Sequence, residues 1–163
     1  MTDSQEAAAQ AYRRAMRRTV ASVAVITAAS DGRIHGMTAT AVTSVSVDPP
    51  TLLVVVNRRT RTHPFIRESG RFAVNVLAAG QAKIARRFAA ALENQFDGVE
   101  HELHAAEVPV LAGTAATFVC VASDAIDVAT HTIFIGKVER SYSSMRAPLL
   151  YHDGVYRGLG SDE

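Results

Sequence analysis

The sequence predicts a mainly β protein, an antiparallel barrel that is closed or nearly closed and carries a few peripheral helices. Three observations carry this expectation. About eight segments rich in Val, Ile, Phe and Thr recur along the chain, most of them five to ten residues long. Tight turn signals separate several of these segments, notably Ser30-Asp31-Gly32, Ala129-Thr130 and His152-Asp153-Gly154. Helical periodicity is confined to three stretches. At 163 residues, 48% of them hydrophobic and 20% charged, the chain has the size of a single domain over residues 1–163.

Taken in order, Ser4 to Thr19 reads as a helix, because Tyr12, Ala15, Met16 and Thr19 fall at i, i+3, i+4 and i+7 on one face. Arg13, Arg14, Arg17 and Arg18 lie off that face and read as its solvated side. The barrel is expected over residues 20–159. Val20 to Thr27 and Arg33 to Met37 form a hairpin around Asp31-Gly32. Val42 to Val47 and Thr51 to Asn57 are strands joined by a corner at Asp48-Pro49-Pro50, since two prolines donate nothing to a ladder. Thr60 to Ser69 is a short helix with Thr62 as its N-cap, Pro64 in its first turn and Gly70 at its end. Arg71 to Leu77 is a strand and Gln81 to Ala91 a helix. Asn94 to Gly98 reads as loop and Val108 to Gly113 as a linking segment. The longest β signal follows, Ala115 to Val128 and His131 to Arg140 around Ala129-Thr130. After a looser stretch from Ser141 to Ala147, Leu149 to Tyr151 and Val155 to Leu159 make a last hairpin.

Composition excludes several function classes. Seventeen basic and 16 acidic residues leave a net charge of +1, a poor basis for holding nucleic acid or an anionic membrane. No apolar run approaches the ~18 residues that span a bilayer, and Met1 to Gln10 does not read as a signal peptide. One cysteine, Cys120, permits no intrachain disulfide, so a cytoplasmic setting is expected. There is no Walker-type loop, G-x-G-x-x-G, H-E-x-x-H or nucleophile elbow. Cys120 and His131 fall about seven residues apart along the long hairpin, roughly 23 Å, too far for a thiol/imidazole dyad. His101-x-x-His104 lacks a clear third ligand, so no metal site is expected.

What remains is a set of small polar residues where strands meet turns: Thr38, Thr40, Thr43, Ser44 and Ser46, then Asn57, Thr60 and Thr62, then Asn75. Their side chains, with exposed backbone N–H groups, suit a phosphate or the polar edge of a flat heterocycle. Equally, they suit ordinary strand threonines and turn serines.

The wording of these segments shifts that balance. His35-Gly36-Met37-Thr38-Ala39-Thr40-Ala41-Val42-Thr43-Ser44-Val45-Ser46-Val47-Asp48-Pro49-Pro50 resembles the signature of the short-chain flavin reductases, an FMN-binding split-barrel family that supplies reduced flavin to two-component monooxygenases. Val56 to Pro64, Gly70 to Leu77, His131 to Val138 and Pro148 to Tyr151 resemble the same family in the same order. The match runs from about Tyr12 to Leu159. Where the family commonly has Gly-Asp before the histidine of the last long strand, this chain has Ala129-Thr130, and the family's usual serine before Thr62-His63-Pro64 is replaced by Arg59 and Thr60.

The resemblance implies a split barrel, FMN or FAD as flavin and NADH or NADPH as reductant, with hydride passing between two flat rings held in contact. It implies a homodimer and a separate flavin-dependent monooxygenase as partner. It implies flavin contacts from Met37, Thr38, Ala39 and Thr40, from Ser44, Val45 and Ser46, and from Asn57, Thr62, Asn75, Val76 and Leu77. His131 would position the nicotinamide, and Arg86 or Arg87 would face a phosphate. Other readings are a flavin- or haem-binding split barrel without turnover, and a barrel used only for protein contacts.

Overall fold

The structure, a computed structural model, describes residues 3–104 and 108–160. It opens with helix α1, Asp3–Met16, closed by Thr19 Oγ1 donating to the Met16 carbonyl at 2.6 Å. The expected apolar face is present but unburied: no residue of α1 is buried, and Tyr12 and Met16 are 67% and 48% exposed. The helix is tied down where Arg17 Nε meets Asp153 Oδ1 at 2.7 Å, and the Asp153 N–H returns a bond to the Arg17 carbonyl.

Seven antiparallel strands make the main sheet: β2 (Ala24–Ser30), β3 (Arg33–Ala39), β4 (Val42–Val47), β5 (Pro50–Asn57), β6 (Arg71–Val76), β9 (Ala116–Val128) and β10 (His131–Ser143). A short β1 (Ala21–Ser22) precedes them, and β7 (His101–His104) and β8 (Val108–Leu111) fall between β6 and β9. The order across the sheet is β3-β2-β6-β9-β10-β5-β4. The two edges, β3 and β4, are therefore neighbours in the chain and are joined through Thr40-Ala41 without pairing to each other. The sheet curls until its edges meet at that link and stay apart beyond it, which is a split barrel.

Hairpin chemistry sets the register. Asp31 and Gly32 take φ of 50° and 69°, the left-handed pair that a two-residue turn requires. The expected strand Val20 to Thr27 divides at Val23, whose N–H bonds the Leu149 carbonyl while its own carbonyl accepts from Leu77. Val23 thus serves two neighbours, and β1 joins a small sheet with β11 (Leu150–His152) and β12 (Val155–Arg157). The long hairpin exceeds its expected end: β10 runs on to Ser143, opposite Ala116.

Two cores result. Inside the barrel, Ile26, Leu52, Val54, Phe72, Val74 and Phe134 pack together, plugged by Ile66 of helix α2 (Thr62–Ser69). Outside, Val25, Leu77 and Leu149 pack beneath Ala85 and Phe88 of helix α3 (Ala82–Ala89). β2 is covered on both faces, which is why it reads as nearly continuous apolar sequence. Gly136 sits where β10 crosses Phe72: a Cβ there would lie 2.5 Å from Phe72 Cζ and 2.9 Å from Cys120 Cβ. Gly136→Ala is therefore expected to lower stability by about 1–3 kcal/mol through overpacking, read as a reduced urea midpoint.

Two expectations are corrected. Val108 to Gly113 is not simply a linker: β8 pairs with β7, and Thr27 Oγ1 donates to the Pro109 carbonyl. Thr62 is not an N-cap: α2 begins at Thr62, the cap position is Arg61 without a side-chain bond, and the Thr62 hydroxyl meets His35 Nδ1 at 2.8 Å. Gly70 does end α2, with φ of 64° and its N–H on the Ile66 carbonyl. Among the described residues, no helix is long and apolar enough to cross a membrane.

Candidate active site

Three strand ends converge where the barrel closes. β3 runs out at Ala39 into Thr40-Ala41, β5 ends at Asn57, and β10 begins at His131, directly opposite Asn57 in register. The Val55 N–H bonds the Ala41 carbonyl at 3.1 Å and fastens the link to β5. A shallow groove of ≈ 270 Å³ opens here, with Thr38, Thr40, Asn57 and His131 along it and Tyr151 and Tyr156 as aromatic walls. Met37 and Thr38 also border a second cleft of ≈ 350 Å³, whose far side is the Arg59–Thr62 turn and whose floor includes Phe88.

Within the groove, several polar groups have no partner among the described residues. His131 Nδ1 is engaged by Thr130 Oγ1 at 2.8 Å, which leaves Nε2 for a ligand. Thr130, one of the two departures at this turn, thus supplies a hydroxyl that holds the ring. The Thr40 hydroxyl has no bond, whereas Thr38 Oγ1 is committed to the Ala85 carbonyl at 2.7 Å. Asn57 Oδ1 accepts from the Arg59 N–H at 2.9 Å and shapes the following turn. The Arg59 and Arg61 guanidiniums make no hydrogen bond or ion pair with a described residue, so the second cleft carries uncompensated positive charge. That charge replaces the expected one: Arg87 donates to the Asn94 and Gln95 carbonyls, and Arg86 lies over the Tyr156 ring at 5.3 Å.

The implied site residues divide accordingly. Met37, Thr38, Ala39, Thr40, Asn57 and His131 share the groove, and Thr62 borders the adjoining cleft. Ser44, Val45 and Ser46 lie four to six residues farther along β4, about 13–20 Å from Thr40 at the usual strand rise. Ser44 and Ser46 line a different groove, with Phe118 and Val138. Asn75 and Leu77 are fully buried, and Val76 is partly buried against the barrel core. None of these three lines the groove. His35, Arg61, Tyr151 and Tyr156 were not singled out as site residues, and Arg59 figured only as a departure from the family pattern. All but Tyr156 stood inside the segments quoted above; Tyr156 comes from the far strand of the last hairpin and carried no local signal.

A hydrogen-bond chain stabilises the His131 end. Thr132 Oγ1 donates its one proton to Asp127 Oδ1 at 2.6 Å, so at its 2.8 Å contact with His63 it accepts, and His63 is protonated at Nε2. Arg67 completes the chain on Asp127 at 2.6 Å. Asp127 is held below the usual carboxylate range, first by the Thr132 hydrogen bond. Burial, then Arg67, lowers the His63 pKa, and burial, then Arg61, lowers that of His35. Both histidines therefore take up protons less readily folded than unfolded. Their contribution to stability is complete above the ordinary value of 6.5 and lost as pH falls through the lowered folded values. Urea midpoints are expected to fall on acidification below that value, and less steeply in His63→Gln; identical slopes would remove His63 from the account.

The groove fits a flat heteroaromatic ring, with aromatic walls, unpartnered donors at one edge and a cationic cleft at one end for phosphate. Fold and site together define a split-barrel protein that takes a flat, phosphate-bearing ligand. The chain belongs to the flavin reductase family: the model of the flavin reductase like domain matches residues 16–160. It is 40% identical over 156 residues, 93% of this chain and 87% of its relative, to the FADH(2)-dependent resorcinol hydroxylase reductase component of Rhizobium sp. (strain MTP-10005). An NADH-dependent flavin reductase of Rhodococcus sp is 33% identical over 157 residues, covering 93% and 88%. Among solved structures, the Streptomyces globisporus C-1027 NADH:FAD oxidoreductase in complex with NAD and FAD fragments superposes with a TM-score of 0.87 at 34% identity, covering 93% and 92%.

Proposed function

We propose that this protein is an NAD(P)H:flavin oxidoreductase that reduces FMN or FAD and passes the reduced flavin to a separate monooxygenase component. The observation that carries the reading is the convergence of His131, Thr40 and Asn57 on one groove that continues into a cleft with two uncompensated arginines, in a chain of this family. The curated relatives named above are the reductase component of a resorcinol hydroxylase and an NADH-dependent flavin reductase. When bound, the flavin supplies the hydride-accepting ring, so the protein needs no nucleophile of its own.

What the chain's residues do is hold and orient. Backbone N–H groups from Thr38 to Thr40 and the Thr40 hydroxyl would meet the edge of the ring that turns negative on reduction. Arg59 and Arg61 would take phosphate oxygens, while the buried Thr62 hydroxyl stays on His35. His131, with Nδ1 engaged by Thr130, offers Nε2 to the nicotinamide carboxamide or a pyrophosphate oxygen. Cys120 takes no part: it is buried and its thiol is pushed up to about 12 by burial, then by Glu139.

The same reading includes a homodimer and a flavin that leaves after turnover. The uncovered α1 stripe is apolar surface of the kind subunit contacts cover. A stable monomer at micromolar concentration in sedimentation would count against the dimer. An unpaired thiol and a nicotinamide reductant suit a cytoplasmic setting. The deciding experiment is steady-state oxidation of NADH and NADPH with FMN, FAD and riboflavin in turn, with dialysis of the purified protein. Flavin-dependent turnover and loss of colour on dialysis are expected. Oxidation no faster than free flavin alone allows would overturn the reading.

A further inference from the structure

A third depression adjoins the cationic cleft along His35 and Arg61, with a volume of ≈ 730 Å³. Its features are unlike those of a simple phosphate site. The Arg33 guanidinium lies over the Phe65 ring at 5.3 Å, and the His35 ring meets the same phenylalanine at 5.7 Å between centroids. A guanidinium held over an aromatic ring can take a purine as a further layer on its outer face. Two carboxylates stand at the rim. Glu68 accepts from Ser30 Oγ at 2.8 Å, while Glu93 has no partner among the described residues. Carboxylates beside a purine-sized platform suit ribose hydroxyls or an exocyclic amine and repel a bare anion.

Groove, cleft and depression form one continuous run along β3. Thr38 belongs to the first two, and His35 and Arg61 to the last two. From Thr38 to Arg33 is five residues, about 17 Å at the strand rise. Uncompensated Arg59 and Arg61 stand at the middle, and the Arg33–Phe65 pair lines the last part together with Glu93 and Glu68. A mononucleotide flavin uses only the first two parts. We infer that the depression formed by Arg33, Phe65, Arg61 and Glu93 receives the adenosine 5′-phosphate half of a dinucleotide flavin, so that the protein prefers FAD to FMN. Arg59 and Arg61 take the pyrophosphate, the purine stacks on Arg33 over Phe65, and Glu93 accepts from the ribose. This inference rests on the flavin reductase reading and deepens it.

Equilibrium dialysis of the whole chain against FMN and FAD separately tests it without reference to turnover. FAD should bind about tenfold more tightly than FMN. Arg33→Ala and Glu93→Ala, both surface changes, should each reduce that ratio severalfold, and together bring it close to one. Steady-state KM values for the two flavins should follow the same order. Equal binding of FMN and FAD by the parent protein, with NADH still oxidised, overturns this inference and leaves the function standing. An unchanged ratio in the double variant overturns it as well. A rise in the NADH KM without a change in the flavin ratio would assign the depression to the nicotinamide dinucleotide instead. Binding of neither flavin would overturn the functional reading and this one with it.

Discussion

Asn75→Ala should cost the fold about 3 kcal/mol, among the largest effects of any polar substitution in the chain. The side chain is fully buried on the outer face of β6 and every polar atom it owns is used. Its Nδ2 donates to the Val25 carbonyl and to Thr27 Oγ1, both at 3.1 Å, and its Oδ1 accepts from the Leu111 N–H at 2.9 Å. One amide thus ties β2 and β6 to β8. Alanine removes three bonds, strands the buried Leu111 N–H without an acceptor and leaves a void. Urea unfolding measures the loss. Family resemblance would give Asn75 a flavin contact, and the same variant separates the two roles: unaltered stability with weakened flavin binding would make it a ligand contact after all.

The second large effect is expected at His131. His131→Ala should raise the NADH KM or slow hydride transfer about tenfold, roughly 1.4 kcal/mol, while flavin affinity stays nearly unchanged. No general base is required for hydride transfer, so a steep pH profile should not accompany the loss. Thr130→Val, which frees Nδ1, should shift the same parameter in the same direction by less. If His131→Ala instead loses flavin while its nucleotide kinetics stay unaltered, the residue supports the hairpin and does not position nicotinamide.

Local patterns predicted local features well. Asp31-Gly32 and Asp153-Gly154 both adopt the left-handed turns their residues favour, and the β9–β10 hairpin stands out because two long β-branched runs flank a two-residue link. Where a residue's role is decided by what lies opposite it, the sequence was silent. Thr62 has the composition of a cap, but His35, 27 residues earlier, takes its hydroxyl. Pro109 argues against a strand until its neighbours are seen lying on Thr27 and Asn75. The site divided along the same line. Met37 to Thr40 stand together in one family-like segment at one strand end and lie together in the groove, whereas Tyr156 carried no signal and Tyr151 no sign of its place, because only the closure of the small sheet brings them to the groove. Ser44 to Ser46 belong to the same quoted segment as Thr40, yet β4 carries them away from the groove, to a different one.

The unpaired outer edge of β4 bears on how the protein behaves at high concentration. Val42–Val47 contains no charged residue, and Val47 is 86% exposed. Of the devices that keep natural sheet edges from recruiting other chains, this strand has an irregularity in its pairing between Ser44 and Ser46 and a proline pair at its end. It lacks the lysine that most often does the rest. Strand-to-strand aggregation is therefore the expected failure of concentrated stocks, beginning without prior unfolding. Val47→Lys should slow the growth of light scattering on storage while leaving the urea midpoint where it was, because the fault lies in a bare edge and not in a weak core.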